Sequence, residues 1–355
     1  MDHPLTVAVT ALNATDNPAP GVAVARSLRH HEGFRGRIVG LTYDALDAGI
    51  YHEGLVDAVY LLPYPSQGPE AFRARLLEIQ EREGLDVIIP NLDSELPSFM
   101  ELEPELKAAG VGMFVPTREQ FDLRSKVHLA ELGEKANIQV PKSAVVSTVS
   151  DLYKIHERVP YPFYVKGVFY GAVLARSLDE AIAGFHKSVA QWGLPVVIQG
   201  KVDGDEFDVV AVGDGQGGLV GAVPMKKTLL TDKGKGWAGV AVKDQGLLEV
   251  TKAFMQASRW RGPCEVEVMK DKDGEYQLLE VNPRFPAWCF MSAGAGANLP
   301  YAVMELAAGM PLTPVGSYRP GTMFVRIALD QIASIDEFQS IATSGELVHT
   351  PNEVQ

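Results

Sequence analysis

The residues best placed to do chemistry lie in one stretch, GPCEVEVMKDKDGEYQLLEVNPR, running from 262 to 284. Two apolar-alternating segments flank DKDG, a sequence suited to a turn between antiparallel strands, so the stretch predicts a hairpin. Residues two apart on a strand share a face. Glu280 and Asn282 therefore point the same way, and Glu267 on the partner strand can lie beside them. Two carboxylates and an amide oxygen suit a hard cation such as Mg²⁺, which takes oxygen ligands and bridges to phosphate oxygens. Glu265 shares the face of Glu267 and is the alternative ligand. The acids of DKDG read as solvated turn residues. Glu280 sits among apolar neighbours in LLEVN, where a carboxylate with neither partner nor metal is costly. Arg284 offers a fork-shaped donor to phosphate or carboxylate, or an ordinary ion pair with a neighbouring acid.

Such a hairpin needs a scaffold, and the rest of the chain supplies one. At 355 residues it suits two or three packed lobes. TVAVTAL, RIVGLTY, DAVYLLP and DVIIPNLD read as strands, and GVAVARSLRHH and EAFRARLLEIQEREG as helices between them. That alternation predicts an α/β lobe with a parallel sheet. A charged helical stretch, REQFDLRSKVHLAELGEKAN, leads into strand-rich α+β sequence. The expected divisions are an N-terminal α/β domain at 1–115, a small lobe at 116–190, a large lobe with the hairpin at 191–315, and an extension at 316–355 packed on the large lobe.

The E-V-N-P-R run at Glu280–Arg284 resembles the ATP-grasp superfamily, in its biotin carboxylase and carbamoyl phosphate synthetase large-subunit branch. Members of that branch end their nucleotide site with an E-x-N-P-R or E-x-N-x-R strand. Their turn glycine stands six residues before the later glutamate, as Gly274 does here, which favours Glu267 over Glu265. The resemblance implies an ATP-grasp fold behind a Rossmann-like pre-ATP-grasp domain, with Glu267, Glu280 and Asn282 holding Mg²⁺, or Mn²⁺, on the ATP phosphates. It further implies that Lys126, in DLRSKVHLAEL, contacts ATP at the start of a helix, and that Lys166, ending the strand YPFYVK, contacts phosphate. The loop after Lys166, GVFYGAVLA, has fewer glycines than family loops. PVVIQGKVDGDEFDVVAV resembles the hinge between the two ATP-grasp lobes, where adenine meets backbone groups of Gln199, Gly200, Lys201 and Val202. Glu206 matches the acid of a G-x-E-[YF] pattern and would hold ribose or order the hinge.

Other features carry two readings each. Lys226 and Lys227, with KGKGW, form either a second basic flap or a solvated loop. Asp93 and Glu95 either bind an amine substrate or serve the local turn. The glycines of VGDGQGGLVG enter a strand rather than a helix and read as a hairpin turn, not a dinucleotide loop. His30 and His31 suit a helix end. Cys264 and Cys289 lack CxxC spacing and read as buried or free thiols.

A net charge of −13 argues against a nucleic-acid partner. The absence of a long apolar run, and of a secretory leader in MDHPLTVAVTAL, predicts a cytoplasmic protein without a membrane span. The resemblance implies an ADP-forming ligase that joins small-molecule or peptide carboxylates to amines, or to thiols, through an acyl phosphate, with Lys166 and Arg284 serving the chemistry. A bicarbonate-activating enzyme and a non-catalytic ATP sensor or scaffold are the alternatives. Members of this layout are frequently dimers, which leaves a homodimer among the expected assemblies.

Overall fold

The computed structural model describes residues 4–14, 17–167, 171–231 and 234–349. The first lobe is a twisted sheet of β1 (Thr6–Thr10), β2 (Arg37–Thr42), β3 (Ala58–Leu61) and β4 (Val87–Ile89), all parallel. Three helices cover it: α1 (Pro20–His30), α2 (Pro69–Glu83) and α3 (Leu96–Ala108). The strands are apolar almost throughout because both faces are covered, and this gives two hydrophobic clusters, one on either side.

The charged helical stretch forms two helices, α4 (Arg118–Leu123) and α5 (Leu129–Ala136), and Lys126 stands just before the second. The turn between them aims Arg124 and Lys126 inward, where both are buried, which a straight helix would not allow. A four-stranded antiparallel sheet follows, in the order β5 (Ser143–Val146), β8 (Val196–Gly200), β6 (Phe163–Lys166), β7 (Ala172–Ala175). The short α6 (Val149–Leu152) and the longer α7 (Leu178–Trp192) pack on this sheet and close a small core of their own. Its strand β8 comes from beyond residue 190.

The third sheet has six strands, ordered β13-β12-β9-β10-β11-β14. They are β9 (Gly204–Asp214), β10 (Leu219–Leu230), β11 (Gly236–Ala241), β12 (Arg261–Asp271), β13 (Tyr276–Asn282) and β14 (Met323–Val325). Helix α8 (Gln245–Ser258) and α5 bury one face over a core centred on Trp260, Phe254 and Val266. The other face carries the polar side chains described below. Strand β9 meets β12 over its whole length, and a Cβ on Gly204 would lie 2.1 Å from the Lys270 carbonyl oxygen, so only glycine permits the approach. The glycine-rich segment after β9 is a hairpin turn closed by Asp214, whose Oδ1 accepts from the backbone of Gln216 and Gly218.

Helices α9 (Phe290–Gly294) and α10 (Leu299–Ala307) join the large sheet to α1 of the first lobe. The stretch from 316 onward divides between lobes. Strand β14 extends the six-stranded sheet, whereas α11 (Ile335–Ser344) leads to β15 (Glu346–Val348), which pairs antiparallel with β3 of the first sheet. Among the described residues no helix is long and apolar enough to cross a membrane.

Candidate functional site

The 262–284 stretch folds as the expected hairpin, with Gly274 at φ +85° in its turn. Glu267 stands opposite Glu280 and Glu265 opposite Asn282. A bulge follows: Val268 faces Leu278, so Leu279 is the extra residue on β13. Asn282 Nδ2 donates to Glu267 Oε1 at 2.9 Å and to Glu265 Oε2 at 3.1 Å, bringing these three side chains together.

The two candidate glutamates on β12 have different surroundings. Glu265 also accepts from Trp288 Nε1 at 2.8 Å and from Arg284 Nη1 at 3.1 Å, so its oxygens are committed to three donors. Glu267 faces Glu280 and Asp208 instead. Burial, outweighing the nearby Lys227 and aided by Glu280 and Glu265, pushes its carboxyl up to about 7.

Asp208 escaped the sequence reading. It lies two residues after Glu206 on β9, hence on the same face, and the E-x-D spacing was the available signal. Carboxylate oxygens of Glu206, Asp208 and Glu267 lie within 4.8 Å of one another. Asp208 Oδ1 is buried with no hydrogen-bond partner, and burial raises its carboxyl well above the usual range. Lys227 reaches into this group, 3.1 Å from Asp208 Oδ2 and in contact with Glu206. Burial works against its charge, but Asp208, Glu267 and Glu206 hold its pKa above the ordinary value. The flap reading of the lysine pair is therefore corrected: alternation along β10 buries Lys227 in the acid group and sends Lys226 outward to Asp205 at 2.9 Å. Of the segment beyond them, 232–233 lies outside the described residues, as does 168–170 after Lys166.

A basic group faces Glu280. Lys126 Nζ is 3.2 Å from Glu280 Oε1. Lys166, at the end of β6, is near enough to both that its own pKa reflects them: burial lowers it, Glu280 raises it and Lys126 lowers it again. Burial alone would raise Glu280, but Lys126 and Lys166 outweigh it and hold the carboxyl below its ordinary value.

Arginines close the site toward the first lobe. Arg284 Nε donates to Asp93 Oδ1 at 3.0 Å, and Arg124 lies 3.8 Å from Asp93 Oδ2 while stacking over Phe121. Asp93 thus belongs to the site. Glu95 does not: its two oxygens accept from Thr10, from Tyr43 Oη at 2.6 Å, and from the backbone of Asn91 and Leu92 at 2.8 and 2.9 Å. Fully buried and saturated, it ties β1 to the loop after β4. Arg326, just past β14, was also missed. Its guanidinium is buried with Nε unpartnered, and burial draws its pKa down to about 10 against the opposing pull of Cys289 and Glu265.

At the hinge, Gln199 Nε2 donates to the carbonyl of Leu279 at 3.3 Å, so the bulge on β13 receives a side chain from the small sheet. The N–H groups of Gly200 and Lys201 are spent on Lys142 and Pro162, and Lys201 pairs with Asp203. Among the described residues no hydrogen bond engages the Val202 backbone. Lys166 of the small sheet thus faces the carboxylate-bearing strands of the large one.

A family model described as "ATP-grasp in the biosynthetic pathway with Ter operon" matches residues 194–327, from the hinge to just past Arg326. The carbamoyl phosphate synthase large chain of Thermoanaerobacter sp. (strain X514) is 25% identical over 226 residues, 60% of this chain and 21% of that protein. The chain thus spans about a fifth of the length of that relative. Among solved structures, L-amino acid ligase from Bacillus licheniformis superposes with a TM-score of 0.65 at 16% identity, over 87% of this chain and 75% of that one. The biotin carboxylase domain of 2-oxoglutarate carboxylase from Hydrogenobacter thermophilus gives 0.68 at 14% identity, over 86% and 70%.

Proposed function

We propose, from the ATP-grasp fold that this chain shares with those structures, that it is an ADP-forming carboxylate–amine ligase working through an acyl phosphate. The observation that carries the reading is the separation of charge across the cleft. Lys126 and Lys166 crowd each other on one side, and Glu206, Asp208 and Glu267 crowd each other on the other. Lys227 offsets part of the charge of the acids, and Glu280 part of the charge of the lysines. A metal nucleotide offers both signs at once: phosphate oxygens for the lysines and a divalent cation for the acids. The orphaned Asp208 Oδ1 and the raised Glu267 fit that charge.

Glu267, Glu280 and Asn282 would hold Mg²⁺, or Mn²⁺, which when bound offsets negative charge on the transferring phosphoryl group. Lys126 and Lys166 hold phosphate oxygens, with Lys126 passing from Glu280 to ATP. The hinge from Gln199 to Val202 borders adenine, with the Val202 backbone available to it. Glu206 acts by fixing Lys227. Arg284, anchored by Asp93 and Glu265, and Arg326, with capacity to spare, receive the substrate carboxylate and then the acyl phosphate. A carboxylate oxygen attacks the γ-phosphorus and ADP leaves; an amine then attacks the acyl carbon and phosphate leaves. No protein nucleophile is needed. Cys264 and Cys289 are buried, and burial pushes both thiols up, so neither supplies a thiolate.

A bicarbonate-activating reaction is the second reading, favoured by the similarity to a carbamoyl phosphate synthase large chain over 60% of this chain. The Hydrogenobacter domain was crystallised with MgADP and bicarbonate. ADP release, measured with Mg²⁺ across a panel of carboxylates and amines with bicarbonate as a separate arm, tests both. Release that needs an acid and an amine supports the ligase, and release with bicarbonate alone supports the second reading. ATP binding without ADP release in any arm would leave a sensor, and a folded Glu280→Ala variant with full turnover would sink the site assignment.

A further inference from the structure

Strand β14 ends the six-stranded sheet, and among the described residues no strand pairs with its outer edge. Thr322, Phe324 and Arg326 face β11: Ala241 N donates to the Thr322 carbonyl, Phe324 stands opposite Gly239, and Arg326 N donates to the Trp237 carbonyl. By the alternation of an antiparallel ladder, the N–H and C=O groups of Met323, Val325 and Ile327 point away from the sheet. Among the described residues none of them is hydrogen-bonded.

The side chains of those same residues are also exposed. Met323 is 58% accessible, Val325 69%, Ile327 73% and Leu329 70%, an apolar stripe at every second position. Leu229, 54% accessible, lies two strands away in the row Leu229, Ala238, Val325. A free edge beside an apolar stripe is the arrangement that soluble proteins ordinarily blunt with lysines, prolines or bulges. Residues 320–329 contain one charge, Arg326, in a chain of net charge −13. Two such chains repel over most of their surface, and this edge is a neutral place to meet.

We propose that β14 pairs antiparallel with β14 of a second copy across a two-fold axis at Val325, joining two six-stranded sheets edge to edge. This register sets Val325 against the partner's Val325 as a hydrogen-bonded pair and Met323 against the partner's Ile327. It keeps the apolar stripe continuous on one face and places Arg326 against the partner's Phe324 on the other. A self-complementary strand closes the contact at two copies.

Sedimentation equilibrium of the full chain at micromolar concentration should give twice the mass of one chain. Val325→Lys should weaken the dimer at least about tenfold, since it puts like charges on the axis. Val325→Pro should do the same by removing an outward N–H while sparing the bonds to β11. Leu46→Lys, an equally exposed apolar position on the first lobe, should leave the dimer intact. Val325→Cys should form a disulfide-linked dimer under mild oxidation, because hydrogen-bonded antiparallel partners stand about 5.5 Å apart at Cα, within disulfide reach. A wild-type chain that is monomeric throughout, or a dimer untouched by the Lys and Pro variants, overturns the proposal. A dimer dissolved by Val325→Lys but not cross-linked through Val325→Cys overturns this register.

Discussion

Lys126 Nζ stands 3.2 Å from Glu280 Oε1, so the turn before α5 is fastened to the strand that carries the candidate metal ligands. Lys166 and Arg124 also act on Glu280, so the pair belongs to a wider charge group. Glu280→Gln keeps the shape and loses the charge; ADP release should fall by about 10²-fold or more while the fold persists. Lys126→Met should act mainly on nucleotide binding, raising KM for ATP by about tenfold with a smaller change in kcat. Steady-state kinetics with a circular dichroism control distinguishes the two outcomes.

Arg326 separates function from stability. A buried guanidinium without a partner on Nε costs folding free energy, so Arg326→Met should leave thermal stability unchanged or raise it by about 1 kcal/mol. Coupled ADP release should nevertheless drop by about 10²-fold if the arginine serves the acyl phosphate. Differential scanning calorimetry beside the kinetic assay reads both. Simultaneous loss of stability and activity would make Arg326 a structural residue.

Glu95 should behave in the opposite way. It saturates four donors inside the first lobe, and removing its carboxylate strands all of them. Glu95→Ala should cost about 3 kcal/mol in urea unfolding, with KM values unchanged in the protein that remains folded. A selective rise in KM for an amine would return Glu95 to the site.

Asp244 makes the hairpin sensitive to acid. It caps α8 through the backbone of Gly246 and Leu247, and holds the hairpin through Tyr276 Oη at 2.6 Å and Lys270 Nζ at 3.1 Å. Burial raises its pKa, but the Tyr276 and Lys270 hydrogen bonds outweigh that and hold it below the ordinary carboxylate value. Its contribution is therefore complete above the unfolded-state pKa of about 4 and is lost as pH falls through the lower folded value. Asp244→Asn keeps a good cap but no charge, so its stability should fall less steeply than wild type on acidification. Urea midpoints from neutral pH down to about pH 3 test the difference in slope.

The hairpin, the glutamates on it and the strand ending at Lys166 were legible because each depends on local alternation and a turn. The choice between Glu265 and Glu267 was less so. It depends on which glutamate Trp288 and Arg284 occupy, and that is settled by how the chain returns after β13. Asp208 carried a readable i, i+2 signal with Glu206. Arg326 carried none, since its place beside Glu265 and Cys289 follows from β14 joining β11 across a long connection. Lys226 and Lys227 look alike in sequence and differ only by strand face. The charged helical stretch was legible as helical, but the turn at Arg124–His128 that divides it was not.

The pairing of β15 with β3 means that the polypeptide leaves the first sheet before α4 and adds its next strand to that sheet only at Glu346. During synthesis the first sheet emerges early yet keeps β3 as a bare edge until residues 346–348 have been made. A ribosome stalled within the later lobes would display that edge to its surroundings. The β3 edge is therefore closed only by a chain that has already made the site-bearing lobes in between.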